Sequence, residues 1–266
     1  MLRIVVTEYP KSGGSWVTSM LGDALSLPKR DIYIGDDYKA FNIRKHPWYV
    51  GQTRLGLTES CVIKSHELPN SKLIDFPAVF LHLVRDGRDV VVSRYFYEKD
   101  FCVNNGLRHR FDVPFQKFVT QAAAEWDAYV TSWLDATRDY YKYEDFILNP
   151  FDTLKKILKL LKVDVSDSQI SYAIENNTKE RFKAALDATV EYNTFVRKAT
   201  SGDWVNHFKA ADEKAFKKIA GKTLVRLGYE SSLNWQNSGE GVLARREKRG
   251  DRKWPKWIDW PGRKDR

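Results

Sequence analysis

The chain has 266 residues, 42% hydrophobic and 14% aromatic, enough for one substantial α/β core without requiring a second domain. Lys and Arg outnumber Asp and Glu by 44 to 35, a formal charge of +9, yet residues 239–266 alone hold ten Lys/Arg against five Asp/Glu, so the body is only mildly basic. That balance does not demand a nucleic-acid partner, two cysteines exclude a disulfide framework, and no window approaches the roughly 20 apolar residues of a membrane helix. The opening apolar run is too short for a signal peptide, and a soluble, cytoplasmic protein is expected.

Leu2-Arg3-Ile4-Val5-Val6-Thr7 predicts a buried strand. It leads through Tyr9-Pro10-Lys11-Ser12-Gly13-Gly14-Ser15-Trp16 into helical spacing at Trp16, Val17, Met20, Leu21 and Ala24. A strand, a glycine loop and a helix start together make a cup for phosphate: glycines relax the backbone, and the first helical turn offers unpaired N–H groups and a positive dipole end. Lys11 adds a mobile charge, and Ser12 and Ser15 add hydroxyls. The order differs from the nucleotide-triphosphatase loop G-x-x-x-x-G-K-[ST], because here the lysine precedes the glycines.

Residues 28–60 show no sustained period and are expected to form a long loop, with Tyr33, Tyr38, Phe41, Trp48 and Tyr49 as a ligand wall. Cys61–Lys64 is a short strand candidate ending at Ser65-His66-Glu67-Leu68-Pro69. Ala78–Val84 is a near-continuous apolar run, as a parallel strand covered on both faces requires. Arg85-Asp86-Gly87-Arg88-Asp89 follows, then a helix over Val90–Lys99 and a polar loop over 100–114. A long helix is predicted from Pro114, a strand at Asp139–Tyr143, and amphipathic helices from Asn149-Pro150 and over Asp167–Glu175. Lys155, Lys156, Lys159 and Lys162 read as a solvated helix face. A last helix spans Ala211–Leu227, and 239–266 is expected to be an extended basic arm, with Trp254, Trp257 and Trp260, able to touch an anionic surface peripherally.

Strands alternating with helices predict a single-domain α/β fold over 1–238, with a parallel sheet flanked by helices and a phosphate-binding loop after the first strand. By the rule for such sheets the ligand lies at the strand carboxyl ends, where Lys11, His66 and Arg85 all fall.

Five segments in order resemble the sulfotransferases that use 3′-phosphoadenosine 5′-phosphosulfate (PAPS). Tyr9–Trp16 resembles their PKSGTTW loop, and Lys64-Ser65-His66 with Pro69 their K-T-H-x-P segment. Leu83–Ser93 is similar to the strand and helix whose arginine and serine grip the nucleotide 3′-phosphate, here Arg85 and Ser93. Tyr143-Glu144-Asp145 with Asn149-Pro150 matches YED…NP, and Arg197-Lys198…Gly202-Asp203-Trp204 resembles RKGxxGDW. The resemblance implies that His66 is the base, that Lys11 and Lys64 face the bridging and sulfuryl oxygens, and that the loop, with Ser12, Gly13, Gly14 and Ser15, holds the 5′-phosphate. It further implies Arg85, Ser93, Arg197 and Lys198 on the 3′-phosphate, and Trp16 and Tyr143 at the adenine, with 3′-phosphoadenosine 5′-phosphate (PAP) as product and no metal. Departures are Gly14-Ser15 in place of two threonines, Ala199 in place of glycine, and Val205 in place of a frequent lysine. The acceptor, whether small molecule, lipid or carbohydrate, is left open. A magnesium-dependent kinase or triphosphatase, and a silent nucleotide-fold protein that holds an anionic partner, stand as alternatives.

Overall fold

Ile4, Val5 and Val6 are each fully buried, and a strand covered on both faces seeds a sheet of parallel neighbours. The computed structural model describes residues 1–31, 58–69, 75–104, 106, 108–137, 139–182, 184 and 200–236. In chain order they form β1 (Arg3–Glu8), α1 (Gly14–Leu25), β2 (Lys29–Asp31), β3 (Cys61–Ser65), β4 (Val79–Val84), α2 (Gly87–Phe96), α3 (Phe115–Ala136) and β5 (Tyr140–Lys142). Then come α4 (Tyr143–Leu148), α5 (Pro150–Leu160), α6 (Asp167–Asn176) and α7 (Ala210–Arg226). The strands lie in the order β2-β3-β1-β4-β5, and every pairing is parallel. The chain first lays strands on one side of β1 and then crosses to the other at β4, so the point where direction reverses lies between β1 and β4. A crevice opens at the carboxyl ends of the strands at such a point.

Two apolar layers cover the sheet. Leu81 and Leu83 face α1, α5 and α6 with Ile4, Val6, Met20 and Leu154, whereas Phe80 and Val84 face α2, α3 and α7 with Val90, Trp126, Trp133 and Phe216. Side chains that alternate in this way along β4 satisfy the period of two, and a side chain of this size contributes about 1.5–3 kcal/mol when fully buried. The helix starts carry their own signals. Asp86 accepts from the Arg88 N–H at 3.0 Å to cap α2, and Asn149 accepts from the Asp152 N–H ahead of Pro150 to cap α5. Lys155, Lys156, Lys159 and Lys162 are exposed, as the amphipathic pattern requires.

Three boundaries differ from the sequence reading. Residues 28–60 are not all loop, because Lys29–Asp31 pairs with Val62–Lys64 as an edge strand. The helix that begins at Gly87 does not stop at Lys99; it continues as a π-helical turn over Tyr97–Cys102. Tyr143 opens α4 rather than closing β5. The remainder of the proposed ligand wall, the Arg197-Lys198 pair and the 239–266 arm lie outside the described residues. Among the described residues, no helix is long and apolar enough to cross a membrane.

Candidate active site

β1 hands the chain to the loop at Glu8, and the backbone turns sharply: Lys11 has φ 73° and Gly13 has φ 98°, both in the left-handed region. Gly13 adopts that conformation freely, and a Cβ there would collide with the Tyr143 ring. A lysine in the same region costs about 1–2 kcal/mol, and two contacts stabilise it. Arg85 Nη1 donates to the Lys11 carbonyl at 3.0 Å, and the Ser12 N–H donates to the Tyr9 carbonyl at 3.2 Å. α1 then starts at Gly14, with the Trp16 and Val17 N–H groups both bonded to the Gly13 carbonyl.

Cations reach this first turn from three strands. Lys11 follows β1, and its Nζ lies 4.2 Å from the centroid of the Tyr97 ring. Lys64 Nζ, on β3, donates to Ser15 Oγ at 3.0 Å. Arg85 follows β4; its Nη2 donates to the Thr200 carbonyl at 2.9 Å, and its guanidinium lies 4.8 Å over Tyr143. Among the described residues, buried Arg85 Nε has no hydrogen-bond partner, an unsatisfied donor of the kind an anionic ligand completes. One acidic group shares the space: Glu8 Oε2 accepts from the Gly14 N–H at 2.5 Å.

Burial dominates the electrostatics. It pushes the Glu8 carboxyl up to about 7 against the pull of Lys64, Lys11 and Arg85, and it pushes Lys11 down to about 7. His66 is pushed down to about 3, first by burial and then by the charge of Lys64, so its imidazole is neutral at pH 7. His66 Nδ1 lies 3.0 Å from the Glu8 carbonyl oxygen. A carbonyl can only accept, which assigns the ring proton to Nδ1 and the lone pair to Nε2.

Trp16 is held from behind, its Nε1 donating to the Asn177 carbonyl at 2.6 Å, and its ring meets Tyr143 edge to face at 5.6 Å. Ser93 is half-buried on α2, two turns beyond Arg85. The structure thus places Lys11, Ser12, Gly13, Gly14, Ser15 and Trp16 around one helix start, with Lys64, His66, Arg85 and Tyr143 at its rim. Arg197 and Lys198 lie outside the described residues, but the segment that follows them is anchored here. Asp89 accepts from the Gly202 N–H at 2.5 Å and the Trp204 N–H at 3.0 Å. Arg85 thus takes two carbonyls, and Asp89 takes two amides. Glu8 is the residue that sequence reasoning missed, and it sits in no spacing that would have marked it. Among the described residues, no group of three or more His, Cys, Asp or Glu side chains is placed to hold a metal ion.

A parallel sheet with a glycine loop after its first strand, and cations gathered on the following helix start, defines an α/β protein that handles a phosphate-bearing ligand. Residues 3–228 match the family model described as the sulfotransferase domain, and the chain belongs to that family. It is 24% identical over 255 residues to human sulfotransferase 2A1, spanning 85% of this chain and 86% of that one. It is 28% identical over 256 residues to a 3-alpha-hydroxysteroid sulfotransferase of Cavia porcellus, spanning 87% and 86%. Its fold is that of mouse sulfotransferase SULT7A1, a structure solved with PAP, at a TM-score of 0.65, 20% identity and 84% of each chain. Family membership makes the protein a sulfotransferase and removes the kinase alternative.

Proposed function

We propose that this sulfotransferase takes the sulfuryl group from PAPS and delivers it, without a metal, to the hydroxyl of a small-molecule acceptor, with His66 as the base. The observation that carries the reading is the arrival of Lys11, Lys64 and Arg85 from three adjacent parallel strands at the first turn of α1. PAP bound to the mouse relative, and the hydroxysteroid named for the guinea-pig relative, support the donor and the acceptor class.

Each residue then has a task set by its chemistry. The loop amides and the hydroxyls of Ser12 and Ser15 hold the 5′-phosphosulfate, and Lys11 and Lys64 offset charge on the oxygens around the transferring sulfur. Arg85, Ser93, Arg197 and Lys198 bind the 3′-phosphate, while Trp16 and Tyr143 border the adenine. His66 is neutral at working pH, so Nε2 can accept the acceptor's hydroxyl proton. The base is weak in the empty site first because of burial and then because Lys64 and Lys11 repel an imidazolium; an anionic donor beside them lessens that repulsion and strengthens the base. We place the protein in the cytoplasm, and the buried free thiols Cys61 and Cys102 suit a reducing compartment.

Calorimetric titration with PAP, with and without magnesium and against ATP, tests the donor assignment. Tight binding of PAP that ignores magnesium is expected. Preference for ATP, with an absolute need for magnesium, would refute it.

A further inference from the structure

A cup built to bind an anion has an acidic side chain inside it. Glu8, the last residue of β1, is 3% exposed, and its Oε2 takes the N–H of Gly14, the first residue of α1, at 2.5 Å. The carboxyl fills the space beside that amide so closely that a Cβ on Gly14 would collide with it. The groups that face it are Lys64 from β3, Lys11 from the loop and Arg85 from the end of β4, with Tyr143 of α4 also within electrostatic reach. Lys11 and Lys64 are the groups assigned above to the donor's phosphosulfate, and Arg85 is assigned to its 3′-phosphate. In the described structure, therefore, the carboxylate already makes contacts that a phosphate oxygen needs.

We propose that Glu8 stands in for the donor's phosphate in the empty enzyme and, when the donor binds, takes up a proton and becomes a neutral hydrogen-bond donor to it. The role presupposes that the cup binds the 5′-phosphate of PAPS or PAP. Two anions cannot share a dry cup a few ångströms across, since each raises the free energy of the other's charged form. Burial already holds the Glu8 carboxyl up to about 7, and a neighbouring phosphate pushes it further up. The bound state then holds a proton that the free state has lost above about pH 7. By linkage, donor affinity falls by up to tenfold per pH unit above that point and is flat below it. Lys11 also sits near 7 and gains a proton beside a phosphate, so a total proton count does not isolate Glu8.

The experiment follows Glu8 itself. PAP affinity is measured by calorimetry at pH 6 and pH 8 for the full chain and for Glu8→Gln, with folding of the variant checked by thermal unfolding. In parallel, the enzyme labelled with carbon-13 at glutamate carboxyls is titrated by NMR with and without saturating PAP. The Glu8 signal is assigned by its loss in Glu8→Gln or, if that variant does not fold, in Glu8→Asp. The expected results are up to about tenfold tighter PAP binding by Glu8→Gln at pH 8, convergence to within about threefold at pH 6, and a Glu8 carboxyl that stays protonated at pH 8 only with PAP bound. PAP binding by both proteins with equal affinity at pH 8, or a Glu8 signal that titrates alike with and without PAP, overturns the role and leaves the donor site standing. Failure of both proteins to bind PAP at either pH overturns the role together with the donor assignment.

Discussion

At the scale of single residues, the tautomer of His66 decides what the site can do. Its Nδ1 is committed to the Glu8 carbonyl, so backbone at the end of β1 orients the imidazole. In a triad that nitrogen would donate to a carboxylate; here it donates to a carbonyl. His66→Ala removes the proton acceptor without touching the loop, so turnover should drop by about 10²–10⁴-fold while PAP affinity stays within about threefold. Steady-state rates beside calorimetry check both halves; a variant with unchanged turnover removes His66 from the role. Residue identity made much of this legible. Lysine before a glycine pair, and histidine two places after a lysine at a strand end, are chemical signals that survive without coordinates. Glu8 was not legible, because in the chain it merely ends an apolar run. Its position in the cup depends on how far β1 extends before the backbone reverses at Lys11 and Gly13, a matter of dihedrals rather than of pattern.

Among elements, the coupling of α2 to the segment at 200–204 has the clearest consequence. Asp89, in the first turn of α2, ties down the Gly202 and Trp204 amides, and Arg85, just before that helix, holds the Thr200 carbonyl. Burial pushes the Asp89 carboxyl up to about 6 against the opposing charge of Arg85, so at neutral pH it is held ionised at some cost. Asp89→Ala leaves two buried amides without an acceptor, at about 1–3 kcal/mol each, partly offset by relief of that buried charge. We therefore expect it to destabilise the fold by about 1–4 kcal/mol and to weaken PAP binding, because Arg197 and Lys198 immediately precede the anchored segment. Denaturant melts and PAP titration check this, and Asp89→Asn, which keeps one accepting oxygen, should recover part of both. The strands at the sheet edges show where pattern reading stops. β4 was plain from its apolar run, whereas Lys29-Arg30-Asp31 carries no apolar residue at all. That segment is a strand because β3 offers it an open row of backbone donors and acceptors, and only the fold supplies that row. The π-helical turn after α2 is hidden for the opposite reason: Tyr97–Cys102 keeps helical composition, so nothing in the chain marks the change of pitch.

Over the whole molecule, the chain beyond the family match takes part in the core. The match stops at residue 228, but the structure uses the chain beyond it. Arg88, fully buried, donates to Asp86 and to Glu230, and its guanidinium is clasped between Trp204 at 4.1 Å and Trp235 at 4.6 Å. A chain truncated after residue 238 should therefore keep its melting temperature and its PAP affinity. One truncated after residue 228 leaves a buried guanidinium short of its second carboxylate and one aromatic wall, and should lose about 3–5 kcal/mol of stability. Thermal unfolding of the two truncations separates these outcomes, and lost PAP binding by the longer one would mean that 239–266 belongs to the donor site. What distinguishes body from arm in the sequence is simple. Trp235, the last aromatic among the described residues, is buried, and after residue 238 charge runs replace apolar spacing.

The strand order has a kinetic consequence. No two neighbouring strands are joined by a hairpin: Arg3 pairs with Cys61, Ile4 with Val79, Lys29 with Val62 and His82 with Tyr140. Each pairing closes a loop of about 30 residues or more before any ladder bond forms. β1, at the centre, is made before both of its neighbours, and it waits for β3 and β4 to emerge before it is paired on either side. A nascent chain therefore carries Ile4, Val5 and Val6 without strand neighbours until β3 and β4 are made, and we expect refolding to be slow for a chain of this size.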